Sequence, residues 1–394
     1  MKSLSNMKPL KRLPLLPQVL IAIVCGIVFG QFLPESIARI FVTFNSLFGN
    51  FLSFAIPLII IGLVAPAICD MGKGAGRLLL ITVLIAYGST LFSGFLTFFT
   101  CKMVYPSILP TNVHFTALSN PSEMMLQPYI TISMPPLMDV MTALLISFTV
   151  GLGLAYIEGK YLRHVCVEFK AVVERLIVKV IVPLLPYHIF GLFLNMAMSG
   201  EVMDVLDTFV RVIVVMFALT IVVLLIQFCI AGAICRRNPL KALKTMFPAY
   251  MTAVGTSSSV ATIPVTLAQT LKNGVREEVA SFTVPLCATI HLAGSILQLV
   301  ACAMALVMMC GQDILLVDYF PFILVLGVIM IAAPGVPGGA VMASLGVFQT
   351  MLGFDETFQA LMIALYIAVD SFGTACNVTG DGAVALVIDK LAKK

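Results

Sequence analysis

Charge is scarce in this chain. Lys, Arg, Asp and Glu make up 11% of its 394 residues, hydrophobic residues 60%, and the mean hydropathy is +1.08. A soluble domain needs far more polar cover than this, so a water-soluble globular fold is excluded. Histidine is also scarce: besides His291 there are only His114, His164 and His188. No H-E-x-x-H, G-x-S-x-G or P-loop string occurs, which argues against an enzyme of those kinds. The 10 cysteines include no C-x-x-C pair and lie mostly in apolar stretches, where they read as small buried hydrophobes. The net charge of +4 is not a nucleic-acid signal, because the basic residues sit at the ends of apolar runs. A cleavable signal peptide is not evident. The basic start (Lys2, Lys8, Lys11, Arg12) leads into an apolar run that reaches Pro34 without a small-residue cleavage site. That run reads as a first spanning helix.

What the chain has in abundance is apolar runs of spanning length, roughly 20 residues as helix. Lipid offers the backbone no hydrogen-bonding water, which leaves helices or a closed barrel. Continuous rather than alternating hydrophobicity selects helices. Spans are expected at 14–34, 40–69, 77–105, 139–157, 172–198 and 205–234. Segment 239–273 is apolar but broken by Gly255 and a serine run, and a long clean span follows at 279–309. Segment 318–354 is broken by Pro334-Gly335-Val336-Pro337-Gly338-Gly339, and a last span covers 357–389.

The two broken segments occupy matching positions, each followed by a full span. Read as re-entrant hairpins from opposite sides, they leave eight full spans and place every strong basic cluster on one face. Those clusters are the N-terminal tail, Lys73/Arg77, Lys160/Arg163, Arg236/Arg237/Lys241/Lys244, Lys272/Arg276 and Lys390/Lys393/Lys394. The 106–138 segment, by contrast, has no Lys or Arg. Both termini are thus expected in the cytoplasm, with the chain in the plasma (inner) membrane. Paired interrupted segments in inverted arrangement are a sequence pointer to a transporter binding site.

The last span carries the chemistry. Asp370, Asn377 and Asp381 stand at i, i+7 and i+11, within about 40° of one another on a helix. No Lys or Arg lies between Arg276 and Lys390 to neutralise them. Carboxylates at this depth are costly unless paired or hydrated, so their charge is expected to be met by something mobile: a metal cation, a proton or an ammonium group. Oxygen-rich faces suit hard cations. Thr256-Ser257-Ser258-Ser259, with Thr262 and Pro264, forms the first hairpin tip, where hydroxyls and free amides favour a carboxylate. The second tip, around Gly335 and Gly338, allows close backbone approach.

Taken together, these strings resemble a known family, the dicarboxylate/amino acid:cation symporters, which are glutamate-transporter-like. The matching strings are Thr256 to Pro264, Gly335-Val336-Pro337-Gly338 and Asn377-Val378-Thr379-Gly380-Asp381, in an order and spacing that agree over about residues 10–390. The resemblance implies an all-α elevator-type transporter with inverted repeats, assembled as a homotrimer. It assigns 1–76 and 139–198 to a static scaffold, and 77–105 and 205–394 to a mobile transport domain. It further implies that Asp370 binds a substrate ammonium, and that Asn377 and Ser257 to Ser259 bind its carboxylate. Ser295, Val336, Gly338, Gly373 and Thr374 complete the implied substrate site. Asn377, Asp381, Cys287, Thr289 and His291 fall at implied cation positions, and Tyr87 and Thr90 resemble a second sodium site.

Departures from the pattern point to substrate and coupling. Where acidic-substrate members carry an arginine, this chain has Gly373, so a dicarboxylate would meet uncompensated charge from Asp370 and Asp381. A small neutral amino acid such as serine, threonine or alanine is expected, and the glycine leaves room for a larger neutral side chain. The family's Asn-Met-Asp-Gly-Thr is here His291-Leu292-Ala293-Gly294-Ser295, which removes an aspartate from a sodium site. Sodium and/or a proton carried by His291, whose side-chain type titrates nearest neutral pH, is the expected driving ion. No resident cofactor is expected. The alternatives are a sodium- or proton-coupled dicarboxylate or acidic amino acid carrier and, less favoured, an ion channel.

Overall fold

The computed structural model describes residues 15–72, 77–109, 126–157, 160–200, 202–309, 311–312, 314–335 and 337–392. Among these residues every regular element is helical. The first half comprises α1 (Leu15–Gly30), α2 (Glu35–Gly72), α3 (Arg77–Ile108), α4 (Val140–Tyr156), α5 (Lys160–Leu176), α6 (Val182–Ser199) and α7 (Val202–Cys235). Then come the short α8 (Pro239–Thr245), α9 (Phe247–Thr256), α10 (Ser259–Lys272), α11 (Glu277–Ile290), α12 (Ala293–Met309), α13 (Leu316–Ala332), α14 (Gly339–Leu352) and α15 (Glu356–Leu391). Among the described residues, six helical stretches are long and apolar enough to cross a membrane: 35–69, 78–108, 160–199, 205–235, 277–309 and 356–391. The chain is a multi-pass helical membrane protein.

Two boundaries differ from the sequence reading. The fifth span begins at Lys160 rather than 172, because α5 is an amphipathic helix whose charged residues hide it from a hydropathy reading. It joins α6 through a π-helical turn at Ile177–Ile181. Pro183, just inside α6, has no N–H to offer the preceding turn, and the ladder widens there. The second difference is larger. The expected clean span 279–309 is broken: α11 ends at Ile290, His291 is extended (φ −103°, ψ 92°), and α12 restarts at Ala293.

The two other breaks follow the local chemistry. Between α9 and α10, Ser257 takes the left-handed conformation (φ 49°), and the Ser258 hydroxyl caps α10 by accepting the Ala261 N–H. Between α13 and α14, Ala333 is extended, as the residue before a proline must be. Gly338 then adopts φ 73°, a region open to glycine at no steric cost.

Helices gather in two sets. α1 packs on α6, and α2 packs on α4, α5 and α6. The rest surround α12 and α15, which touch each other and are contacted by α3, α7 and both interrupted helix pairs. Almost every residue of α12 and α15 is buried. A helix apolar all round has to sit in a bundle interior; this places the polar positions of α15 inside protein rather than against lipid. Two arginines lie near the C-terminal end of α15. Arg237 donates to the Asn273 and Gly274 carbonyls, and Arg276 Nε pairs with Asp389 Oδ1 at 2.6 Å.

Candidate functional site

The face expected on the last helix forms as a buried patch. Asp370, Asn377 and Asp381 of α15 are 7%, 1% and 1% exposed. Each is met by a different element.

Asp370 faces the second interrupted pair. Its Oδ2 accepts the Gly338 N–H at 2.8 Å, at the start of α14. No basic side chain among the described residues pairs with it. Backbone N–H groups and a helix N-terminus favour a carboxylate, but they leave its net charge in place.

Asn377 holds the broken helix together. Its Oδ1 accepts the Gly294 N–H at 2.7 Å and the Ser295 N–H at 3.3 Å, and its Nδ2 donates to Ser295 Oγ at 3.0 Å. The first amides of any helix have no partner of their own. Here a side chain from α15 supplies the cap that Leu292 cannot.

Asp381 has a hydrogen-bonding partner in His291, and no Lys or Arg among the described residues pairs with it. Its Oδ1 lies 2.9 Å from His291 Nδ1, while His291 Nε2 lies 3.0 Å from Ser89 Oγ, which in turn accepts from Gln227 Nε2 at 3.0 Å. The break in the helix is what turns the His291 ring toward α15. Asp381 Oδ2 is buried and without a hydrogen-bond partner among the described residues, an oxygen suited to a hard cation.

The two tips meet. Ser258 Oγ donates to the Gly335 carbonyl at 2.9 Å, and Val260 packs against Gly335. Ser259 is buried at the start of α10, and Ser257 and Ser258 are half-buried. Val336 lies outside the described residues. A cavity of about 590 Å³ beside the tips is lined by Ser258, Val260, Pro334 and Gly335, and by Glu174, Arg175 and Lys179.

Gly373 does not border empty space. A Cβ there would fall on the carboxamide of Gln298 from α12. The expected room for a larger side chain is therefore taken. Thr374 is buried beside it.

The remaining expected cation residues are scattered. Cys287 is buried, and its carbonyl accepts the His291 N–H at 2.8 Å, closing the end of α11. Thr289 is exposed and donates to Leu286 O. Thr90 is buried but donates to Ala86 in its own helix, and Tyr87 donates to Leu324 O at 3.3 Å. The residue of that helix that reaches the Asp381 network is Ser89. Sequence reasoning missed Ser89, Gln227 and Gln298. The signal was present for the two glutamines, since each is a lone amide within an apolar spanning run.

Comparison with known proteins gives the family of the chain. Residues 15–391 match the family model of the sodium:dicarboxylate symporter family. A Caenorhabditis elegans protein named excitatory amino acid transporter is 27% identical over 262 residues, which cover 65% of this chain and 52% of that protein. The chain therefore spans about half the length of this curated relative.

Proposed function

The chain belongs to the sodium:dicarboxylate symporter family, a family of transporters rather than enzymes, and from that premise we propose that it is a cation-coupled symporter of a small neutral amino acid such as serine, threonine or alanine. The observation that carries the reading is Asp370: a buried carboxylate with no basic partner, beside a position, Gly373, that holds no side chain. An α-ammonium group would balance Asp370. The substrate carboxylate would take the hydroxyls and amides around Ser257 to Ser259 at the tips, with Ser295 and Asn377 close by. A second carboxylate directed toward Gly373 would find no basic side chain beside it among the described residues.

Asp381 Oδ2 supports a cation on the same face. The driving ion is sodium, a proton held through His291, or both. The elevator reading takes α1, α2, α4, α5 and α6 as scaffold and the set around α12 and α15 as the moving part, in line with how the helices pack. With α1 and α4 as spans and α9–α10 and α13–α14 as re-entrant hairpins, the count is eight spans. The basic end, where Arg237 and Arg276 lie, then faces the cytoplasm of a plasma membrane. In a homotrimer the scaffold would carry the subunit contacts.

A second reading has specific support. Arg175 and Lys179 line the cavity leading to the tips and would attract an acidic substrate, and the similar protein from Caenorhabditis elegans is named for excitatory amino acids. Uptake by proteoliposomes separates the two readings: labelled serine, threonine, alanine, aspartate and glutamate are offered under a sodium gradient and, separately, a proton gradient. Gradient-driven accumulation of the neutral set supports the proposal. Accumulation of aspartate or glutamate alone overturns it.

A further inference from the structure

Gln298 is 1% exposed and lies across from the turn of α15 that holds Val369, Asp370 and Gly373. Its Nε2 donates to the Val369 carbonyl at 2.7 Å. Because that neighbour is a carbonyl, the amide nitrogen has to face it, and the orientation of the carboxamide is fixed by chemistry. Oε1 is left pointing at the bare backbone of Gly373, buried and without a partner. A buried acceptor with no donor is uncommon in a folded protein and calls for an explanation.

We propose that Gln298 selects the transported side chain, accepting a hydrogen bond from an uncharged donor such as a hydroxyl or an amide. This rests on the function proposed above. Asp370 and Asn377 lie two turns apart on one face of α15, and a small amino acid held between them has its side chain between its ammonium and its carboxylate. Gly373 is the position in that interval without a side chain, and the Gln298 carboxamide occupies the space it leaves, so a substrate side chain held beside it would face Gln298 Oε1. A hydroxyl or amide N–H satisfies this oxygen. An alkyl group leaves it bare, and a carboxylate places a second acceptor against it, which is repulsive. A side chain at position 373 and Gln298 in its present place are mutually exclusive.

Threonine and valine have nearly the same shape and differ in one hydroxyl, so the ratio of their uptake efficiencies in proteoliposomes reads this interaction and does not depend on how much protein is folded. The wild type should favour threonine by roughly tenfold, the scale of one net hydrogen bond in a buried site. Gln298→Met keeps the volume and removes the acceptor, and should bring the ratio close to one. Gly373→Ala should do the same by displacing the carboxamide while leaving Gln298 in the chain. A wild-type ratio near one overturns the proposal without any variant, as does a preference for threonine that survives in whichever variant is active. If amino acids are transported but the ratio is flat, only the role of Gln298 falls. If no amino acid is transported, the proposed function falls and this inference with it.

Discussion

The Gly338 N–H on one helix pair donates to Asp370 Oδ2 on the last helix at 2.8 Å. The tip between α13 and α14 and a buried carboxylate therefore share one hydrogen bond. Were the α13–α14 tip to lift, Asp370 would lose this backbone donor. Under the proposed function, an ammonium group at Asp370 would let the tip close over a carboxylate whose charge is balanced.

Asp370→Ala should abolish amino acid binding while leaving the protein folded. A charged hydrogen bond contributes about 1.5–3 kcal/mol, so affinity should fall at least roughly tenfold to a hundredfold, as read by calorimetry on detergent-purified protein that stays monodisperse. Wild-type affinity in this variant would reject the ammonium role.

Gly338→Ala should weaken substrate binding without blocking it. The nearest atoms to an added Cβ lie at 3.8 Å, so space is not the obstacle. The cost is the left-handed backbone at φ 73°, about 1–2 kcal/mol for a residue with a Cβ. An affinity loss of roughly five- to thirtyfold is expected; an unchanged Kd would show that this tip does not need its present conformation to close.

Asn377→Leu should lower stability. It removes the acceptor for two amides at the start of α12 and the donor to Ser295, and leaves those buried groups unsatisfied at a cost of about 1–3 kcal/mol each. A lower apparent Tm in detergent, relative to the wild type and to Thr374→Val, would be the sign. Equal melting would mean that α12 is held by other contacts.

His291→Asn should shift the cation requirement. The imidazole sits between Asp381 and Ser89, and an asparagine offers a carbonyl oxygen in its place, which hard cations prefer. Sodium for half-maximal uptake should fall several-fold. A rise, or no change, would show that this network lies outside the coupling path.

Legibility in the sequence followed where the causes lie. The tips were visible because their causes are local: a serine that caps its own helix, a proline that extends its predecessor, a glycine at positive φ. The break at His291 was not, because its cap is Asn377, more than eighty residues further along the chain. The polar face of α15 was visible by helical spacing alone. Of the partners of that face, His291 and Gly338 were named only through the family resemblance, and Gln298 was hidden for the same reason as the cap: tertiary packing brings it there. Gly373 shows the difference most clearly. In the sequence a glycine reads as space; in the fold, a side chain from α12 fills it.

The central claim is that the buried face of α15 binds one ammonium group and tolerates no second carboxylate. Equilibrium binding of three compounds to the purified protein tests it: serine, glycerate (in which a hydroxyl replaces the ammonium) and aspartate. Serine should bind, with glycerate and aspartate weaker by roughly a hundredfold. Aspartate or glycerate binding as tightly as serine would contradict the account.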